Sequence, residues 1–207
     1  MESMSFLQML RISIAMPILL VLSVLILAAA LERLYVYWGS DSLPSSLWAR
    51  IRDCLQQGDK AGALAVCKHS PGLMAQAFGR LLSIQEPNTE KLVEAFQLYR
   101  QRMQMDLTRR VGFFGTASFI SPLIGLMGTV LGIMRAFHDL SVAGVGGPAV
   151  VAAGISEALV ATAAGIGLAV VSAVLYNYFT LAARHRMNTV DLWVFELAQL
   201  LSDQPHA

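Results

Sequence analysis

The sequence predicts an all-α membrane protein with three transmembrane helices. Charged residues make up only 14% of its 207 residues and hydrophobic residues 56%, whereas typical soluble domains carry about 25% charged residues. Three apolar segments are long enough to cross a bilayer, whose hydrocarbon core takes about 20 helical residues. Helical periodicity continues through the polar stretch after the first segment. The net charge of +1 gives no basis for a nucleic-acid partner.

The first apolar segment runs from Ile12 to Leu31, between Arg11 and Glu32. A signal peptide ending at the small residues 28–30 is the alternative interpretation. However, the apolar run exceeds the roughly 7–15 residues usual in signal peptides. We therefore expect a retained anchor, with residues 1–31 forming an outer N-terminus and the first transmembrane helix.

The other two segments flank a short turn. The second transmembrane helix is predicted at 111–137 and the third at 149–182, with an outer turn at 138–148. Glycine and proline mark this turn at Gly144, Gly146, Gly147 and Pro148. The third helix is longer than a bilayer requires. We expect its end to project into the cytosol and to lead into a tail helix within 183–207.

The arginines determine the predicted orientation. They follow the first span, precede the second and follow the third, at Arg33, Arg100, Arg102, Arg109, Arg110, Arg184 and Arg186. The opposite sides carry only Arg11 and Arg135. Because short cytoplasmic loops carry the excess of Lys and Arg, the N-terminus is predicted outside. Residues 32–110 and the tail are predicted in the cytosol.

The cytosolic region has helical periodicity of its own. Four helices are predicted, at Ser46–Gln57, Lys60–His69, Leu73–Gln85 and Thr89–Arg110. Glycine, proline and asparagine separate them at Gly58, Pro71-Gly72 and Pro87-Asn88. The fourth carries an apolar stripe that predicts a packing face: Leu92, Phe96, Tyr99, Met103 and Leu107. We expect this helix to continue without a break into the second span.

Small residues line one side of each of the last two spans. On the second span they are Ser118, Ser121, Gly125, Gly128, Thr129, Gly132 and Ala136, and on the third Gly154, Ala158, Ala161, Thr162, Gly165 and Ala169. Small residues let helix backbones approach closely in lipid. We therefore expect helix packing around a pore through Gly125, Gly128, Gly132, Gly154, Ala158 and Gly165. The large side chains of the second span fall on its other side.

Three polar residues within these spans are candidates for an ion pathway: Thr129, Thr162 and Glu157. Glu157 is the only charged residue between Asp139 and Arg184, and it lies roughly 13 Å into the third helix at 1.5 Å per residue. An ionisable group within a membrane is costly unless it faces protein or water. The alternatives are a structural carboxylate bonded to a neighbouring subunit, and threonines that bond their own helix backbone.

No catalytic, metal or cofactor site is predicted. The spans contain no Ser/His pair, paired aspartates or HExxH motif, and the chain has no phosphate-binding Gly-Lys-Ser/Thr loop. The two cysteines, Cys54 and Cys67, have no second pair to complete a metal site and are expected to be reduced. A threonine hydroxyl does not titrate at ordinary pH. If the chain uses an ion gradient, either Glu157 titrates or a partner supplies the carboxylate.

Two sequence blocks resemble the MotA/TolQ/ExbB proton-channel family, most closely its ExbB and TolQ branch. They are residues 120–134 and residues 154–165, the latter followed by Tyr176-Asn177. The resemblance implies a pentamer in the bacterial inner membrane that encloses the single spans of an ExbD- or TolR-like dimer. The partner's membrane-embedded Asp would accept and release the proton, and the complex would energise TonB or TolA. Thr129 and Thr162 match the family's pore-facing threonines, and Glu157 matches its third-span glutamate.

Two hypotheses from different functional classes follow. The first is an ion-conducting motor subunit that uses the proton-motive force together with its partner. The alternative is a non-conducting membrane scaffold assembled through small-residue helices. The sequence leaves open whether the output is TonB-linked or Tol-linked, and whether the ion is a proton or sodium.

Overall fold

A computed structural model describes residues 15–39, 45–70, 72–84, 89–143 and 148–202. Within these residues it contains seven helices: α1 (Ala15–Gly39), α2 (Ser45–Gln56), α3 (Lys60–His69), α4 (Leu73–Leu82), α5 (Thr89–Thr108), α6 (Val111–Ala143) and α7 (Pro148–Ser202). The predicted all-helical class is confirmed for this part of the chain. The predicted outer N-terminus, the centre of the outer turn at 144–147, the end of the tail and the separators Pro71 and Pro87-Asn88 lie outside the described residues.

Three of these helices are long and apolar enough to cross a membrane. The stretches that qualify among the described residues are Ala15–Tyr37, Val111–Ser141 and Val151–Leu201. Each helix extends beyond its predicted span. α1 continues past Glu32 to Gly39, α6 continues to Ala143, and α7 includes the predicted tail helix without interruption. A helix suits this environment because it satisfies its backbone hydrogen bonds internally.

The predicted unbroken helix from the cytosolic region into the second span is wrong. α5 ends at Thr108 and α6 begins at Val111. Arg110, between them, has a φ of 59°, which is left-handed backbone that costs a non-glycine residue about 1–2 kcal/mol. One left-handed residue ends the regular i→i−4 hydrogen bonding. The amide of Phe113 instead donates to the Arg110 carbonyl at 3.2 Å.

The chain divides into two compact units. We call Met1–Arg33 with Arg110–Tyr178 the span unit, and Leu34–Arg109 with Phe179–Ala207 the tail unit. In the tail unit, aromatic stacking organises the core. The Trp48 ring lies 5.3 Å from that of Phe78 and 6.0 Å from that of Trp193, measured between centroids. The predicted stripe on α5 packs here, with four of its members buried: Leu92, Phe96, Met103 and Leu107.

Tyr37 joins three helices inside the tail unit. Its ring is buried, and its hydroxyl lies 3.1 Å from the Leu107 carbonyl on α5 and 3.3 Å from the Phe179 carbonyl on α7. Arg186 donates to the Tyr37 carbonyl at 2.7 Å. Its guanidinium also stacks 4.5 Å from the centre of the Tyr37 ring, a favourable cation–π geometry. We call these residues the Tyr37 junction.

The junction predicts that Tyr37→Phe lowers the free energy of unfolding of the tail unit by about 1–3 kcal/mol, because the Leu107 carbonyl at the end of α5 is buried and loses its bond from the tyrosine hydroxyl. Cys67 provides the readout. It is buried in the same unit, and desolvation raises the pKa of its thiol to about 11, so near pH 8 it is protonated and unreactive. On a Cys54→Ser background, labelling of Cys67 by a maleimide should become at least fivefold faster.

Tyr35→Phe is the matched control. It also removes a tyrosine hydroxyl from α1, but the Tyr35 side chain is 79% exposed, whereas the Tyr37 side chain is 5% exposed. Its labelling rate should stay within twofold of the parent. Equal rates in the two variants would show that the Tyr37 hydroxyl does not stabilise the unit.

Candidate ion pathway

The backbones of α6 and α7 touch at glycines within the span unit. A Cβ placed on Gly165 would lie 2.6 Å from the Ser121 carbonyl oxygen and 3.1 Å from the Gly125 Cα. A Cβ on Gly125 would lie 3.0 Å from the Ala161 carbonyl oxygen and 3.0 Å from the Thr162 Cα. Backbone atoms at these distances cannot yield as a flexible side-chain end could. A side chain at position 165 is therefore excluded unless the backbone moves, and one at position 125 would need the α7 backbone to give way by a few tenths of an ångström.

A second contact lies further along the same two helices. A Cβ on Gly132 would lie 2.6 Å from the Ala158 Cβ, and one on Gly154 would lie 2.6 Å from the Ala136 Cβ. In each pair a glycine on one helix receives the methyl group of an alanine on the other. Five of the six predicted packing residues therefore lie at the α6–α7 contact, and the sixth, Gly128, is buried.

Thr162 lies at the centre of the first contact. Its hydroxyl donates to the Gly125 carbonyl on α6 at 2.9 Å. That carbonyl also faces the amide of Thr129 in the regular i→i−4 pattern of α6, and its two lone pairs allow both bonds. The Gly125 carbonyl oxygen therefore accepts bonds from the backbone amide of Thr129 and from the side-chain hydroxyl of Thr162.

Thr129 makes a different bond. Its hydroxyl donates to the Leu126 carbonyl at 2.7 Å, three residues back on its own helix. The alternative of a bond to the helix's own backbone therefore describes Thr129, whereas Thr162 reaches across to α6. Both side chains are half-buried. The hydroxyls keep acceptor lone pairs that can order water.

Glu157 lies one residue before Ala158, where α7 meets Gly132. Its side chain is half-buried and makes no hydrogen bond or ion pair with the residues that the structure describes. A carboxylate so placed can accept a bond from another chain or can carry a proton. Both roles remain predictions.

The outer faces of these helices are apolar. The large side chains predicted on the other side of α6 are exposed: Phe119, Leu123, Leu126, Met127, Val130, Met134 and Phe137. On α7 the exposed set includes Leu159, Ile166, Val170 and Val174. Exposed apolar area on this scale indicates contact with lipid or protein, as the membrane interpretation requires.

The sequence analysis missed an ion cluster in the span unit. Glu32 accepts from the Arg33 guanidinium at 3.1 Å and also pairs with Arg110. Arg33 is only 3% exposed, which is rare for arginine. The sequence analysis used both arginines only to predict the orientation in the membrane. The available clue was a carboxylate and a guanidinium adjacent to each other at the end of an apolar run.

Residues 68–191 match the sequence pattern of the MotA/TolQ/ExbB proton channel family. This match covers more than half of the chain and includes Thr129, Glu157 and Thr162. The chain belongs to this family. The relatives below support its ExbB/TolQ branch, so the predicted resemblance is confirmed.

Three relatives illustrate the family membership. The Tol-Pal system protein TolQ of Haemophilus influenzae is 38% identical over 118 residues, which are 55% of this chain and 50% of that protein. An ExbB-like biopolymer transport protein of Synechocystis sp. is 32% identical over 169 residues, 80% of each chain. The biopolymer transport protein ExbB of Aquifex aeolicus is 32% identical over 114 residues, 55% of this chain and 74% of that one. The match thus spans only half the length of TolQ.

The glycine contact predicts that Gly165→Ala destabilises the protein by about 1–3 kcal/mol, the usual penalty for overpacking, because the new methyl meets the Ser121 carbonyl. The midpoint of thermal unfolding in detergent measures this loss. Gly167→Ala is the matched control, since a Cβ there meets nothing within 4 Å and alanine favours the helix. The control midpoint should be unchanged or higher. A drop of the same size in both variants would rule out the close contact at Gly165.

Proposed function

We propose that this chain is the channel-forming subunit of an inner-membrane motor that uses the proton-motive force. The observation that supports this most strongly is the bond from the Thr162 hydroxyl to the Gly125 carbonyl, between glycine-packed helices inside the family match. It holds a half-buried hydroxyl between two predominantly apolar helices. The proposal includes a pentamer of this chain around the single spans of an ExbD- or TolR-like dimer. A TonB- or TolA-like protein would receive the motion.

In the proposed mechanism, the threonines and the carboxylates have separate roles. Thr129 and Thr162 order water along the path, because a threonine hydroxyl cannot store a proton at ordinary pH. The proton is held by Glu157 or by an aspartate of the partner. Each proton that crosses 100 mV releases about 2.3 kcal/mol. Several protons in succession supply enough free energy to move one subunit against another.

The proposed orientation places the N-terminus in the periplasm. Residues 32–110 and 183–207 are then cytoplasmic, and the connection between α6 and α7 is periplasmic. The clustering of arginines at the ends assigned to the cytoplasm supports this arrangement. In the tail unit, the charged pair of Arg100 and Asp191 suits an aqueous setting, since both side chains are partly exposed.

A non-conducting scaffold is the second candidate. One observation favours it: the Thr162 hydroxyl already serves as a link between helices, and such a link stabilises packing whether or not ions pass. The two candidates differ in what removing this hydroxyl does. In a scaffold it lowers stability alone, and in a channel it also lowers ion flux.

Native mass spectrometry tests the proposed architecture. The chain is co-expressed with a single-span ExbD- or TolR-like protein from the same genome and purified in mild detergent. Five copies of this chain with two copies of the partner are expected. A homo-oligomer that never retains the partner would contradict the proposed motor, because the chain would then lack the partner's aspartate.

Thr162→Val tests the pathway. Valine keeps the shape and removes the hydroxyl, so proton uptake into liposomes under an imposed potential should fall at least tenfold. The bond to Gly125 is also lost, which should lower stability by about 0.5–1.5 kcal/mol and leave the complex assembled. Uptake is therefore normalised to assembled complex.

Thr116→Val is the control for this experiment. Thr116 lies on α6 and is exposed. Among the described residues, its hydroxyl donates only to the Gly112 carbonyl of its own helix, four residues back, at 3.1 Å. Its proton uptake should match that of the wild type. If Thr162→Val also conducts protons at the wild-type rate, the Thr162 hydroxyl is not part of the pathway. That result would favour the non-conducting scaffold.

A further inference from the structure

A pocket of about 270 Å³ lies between α5 and α7 in the tail unit. Its polar lining consists of two arginines, two threonines and two carboxamides: Arg100, Arg184, Thr108, Thr180, Gln104 and Asn188. Three apolar residues complete the wall. None of the lining residues is acidic. The pocket is therefore rich in hydrogen-bond donors and positively charged.

The two arginines differ in how their charge is balanced. Arg100 donates to both oxygens of Asp191 at 2.9–3.2 Å, and this pairing raises the pKa of the guanidinium. Arg184 is exposed and forms no hydrogen bond or ion pair with any residue in the described part of the chain. The positive charge of Arg184 is therefore not balanced by an acidic side chain among the described residues. The second guanidinium of the pocket, that of Arg100, is held in its orientation by Asp191.

The pocket begins near the predicted cytoplasmic surface of the membrane. Thr108 precedes by three residues the point where the second candidate span starts. On α7, Thr180 lies 29 residues after Val151, where the third candidate span starts, and a bilayer core takes only about 20 of these residues. Helical side chains lean toward the N-terminus of their helix. The Arg184 stem therefore leans toward the membrane side in the proposed orientation.

We propose that this pocket binds a phosphate-bearing anion. Guanidinium groups bind phosphate oxygens through paired, charge-assisted hydrogen bonds, and the Thr180 hydroxyl and the side-chain amides of Gln104 and Asn188 add further donors. Two sources share this chemistry: the headgroup of an anionic phospholipid and a phosphate in the cytosol. The lipid source rests on the proposed orientation, whereas binding of free phosphate does not.

Equilibrium binding to the purified full-length chain in nonionic detergent tests the proposal. The probes are short-chain phosphatidylglycerol, short-chain phosphatidylcholine and inorganic phosphate, with isothermal titration calorimetry as the readout. Binding of phosphatidylglycerol alone identifies a lipid headgroup site. Binding of inorganic phosphate as well identifies a general phosphate site. In either case Arg184→Gln should weaken binding at least tenfold, and Arg184→Lys, which keeps the charge but loses the paired donors, should weaken it less.

Arg102→Gln is the matched control, because Arg102 is exposed on α5, does not line the pocket and carries the same charge. Its affinity should stay within twofold of the wild type. The proposal is overturned if neither anion binds, or if Arg102→Gln weakens binding as much as Arg184→Gln. The experiment needs neither partner nor gradient. A chain that conducts protons without binding these anions would refute only this inference, and a non-conducting chain that binds them would refute only the proposed function.

Discussion

The candidate pathway depends on the direct backbone contact between α6 and α7. No hydrophobic force draws helices together within lipid, so van der Waals contact and interhelical hydrogen bonds must hold them. The glycines at 125 and 165 let the two backbones touch. Only at that separation does the Thr162 hydroxyl reach the Gly125 carbonyl. The Thr162 hydroxyl can therefore take this position because Gly125 and Gly165 have no side chains to hold the helices apart.

α7 uses two kinds of packing along its length. In the span unit its closest contacts are made by small residues such as Ala158 and Gly165, and most of its large side chains are exposed. In the tail unit it buries large residues instead, including Val190, Val194 and Leu197. Water supplies a hydrophobic driving force for the second kind and lipid does not. Small-residue contact at one end and large-residue burial at the other therefore accord with a helix that leaves a membrane.

The sequence predicted what depends on periodicity and length. It located the three apolar helices, the short helices of the tail unit and the small-residue faces, because each of these features repeats along the chain. It did not predict the break at Arg110, which rests on one residue's φ within an otherwise helical pattern. It also could not predict that Thr162 bonds α6 while Thr129 bonds its own helix, since this choice depends on the distance between helices. The Glu32–Arg33–Arg110 cluster requires the same three-dimensional information.

Proton uptake across a double-mutant cycle at Gly132 and Ala158 tests most directly the claim that close packing of α6 and α7 supports conduction. Gly132→Ala brings two methyl groups within 2.6 Å, and Ala158→Gly removes one of them. The account predicts reduced uptake per assembled complex for Gly132→Ala, and recovery to near the wild-type rate in the double variant. Normal uptake in Gly132→Ala, or losses that simply add in the double variant, would contradict it.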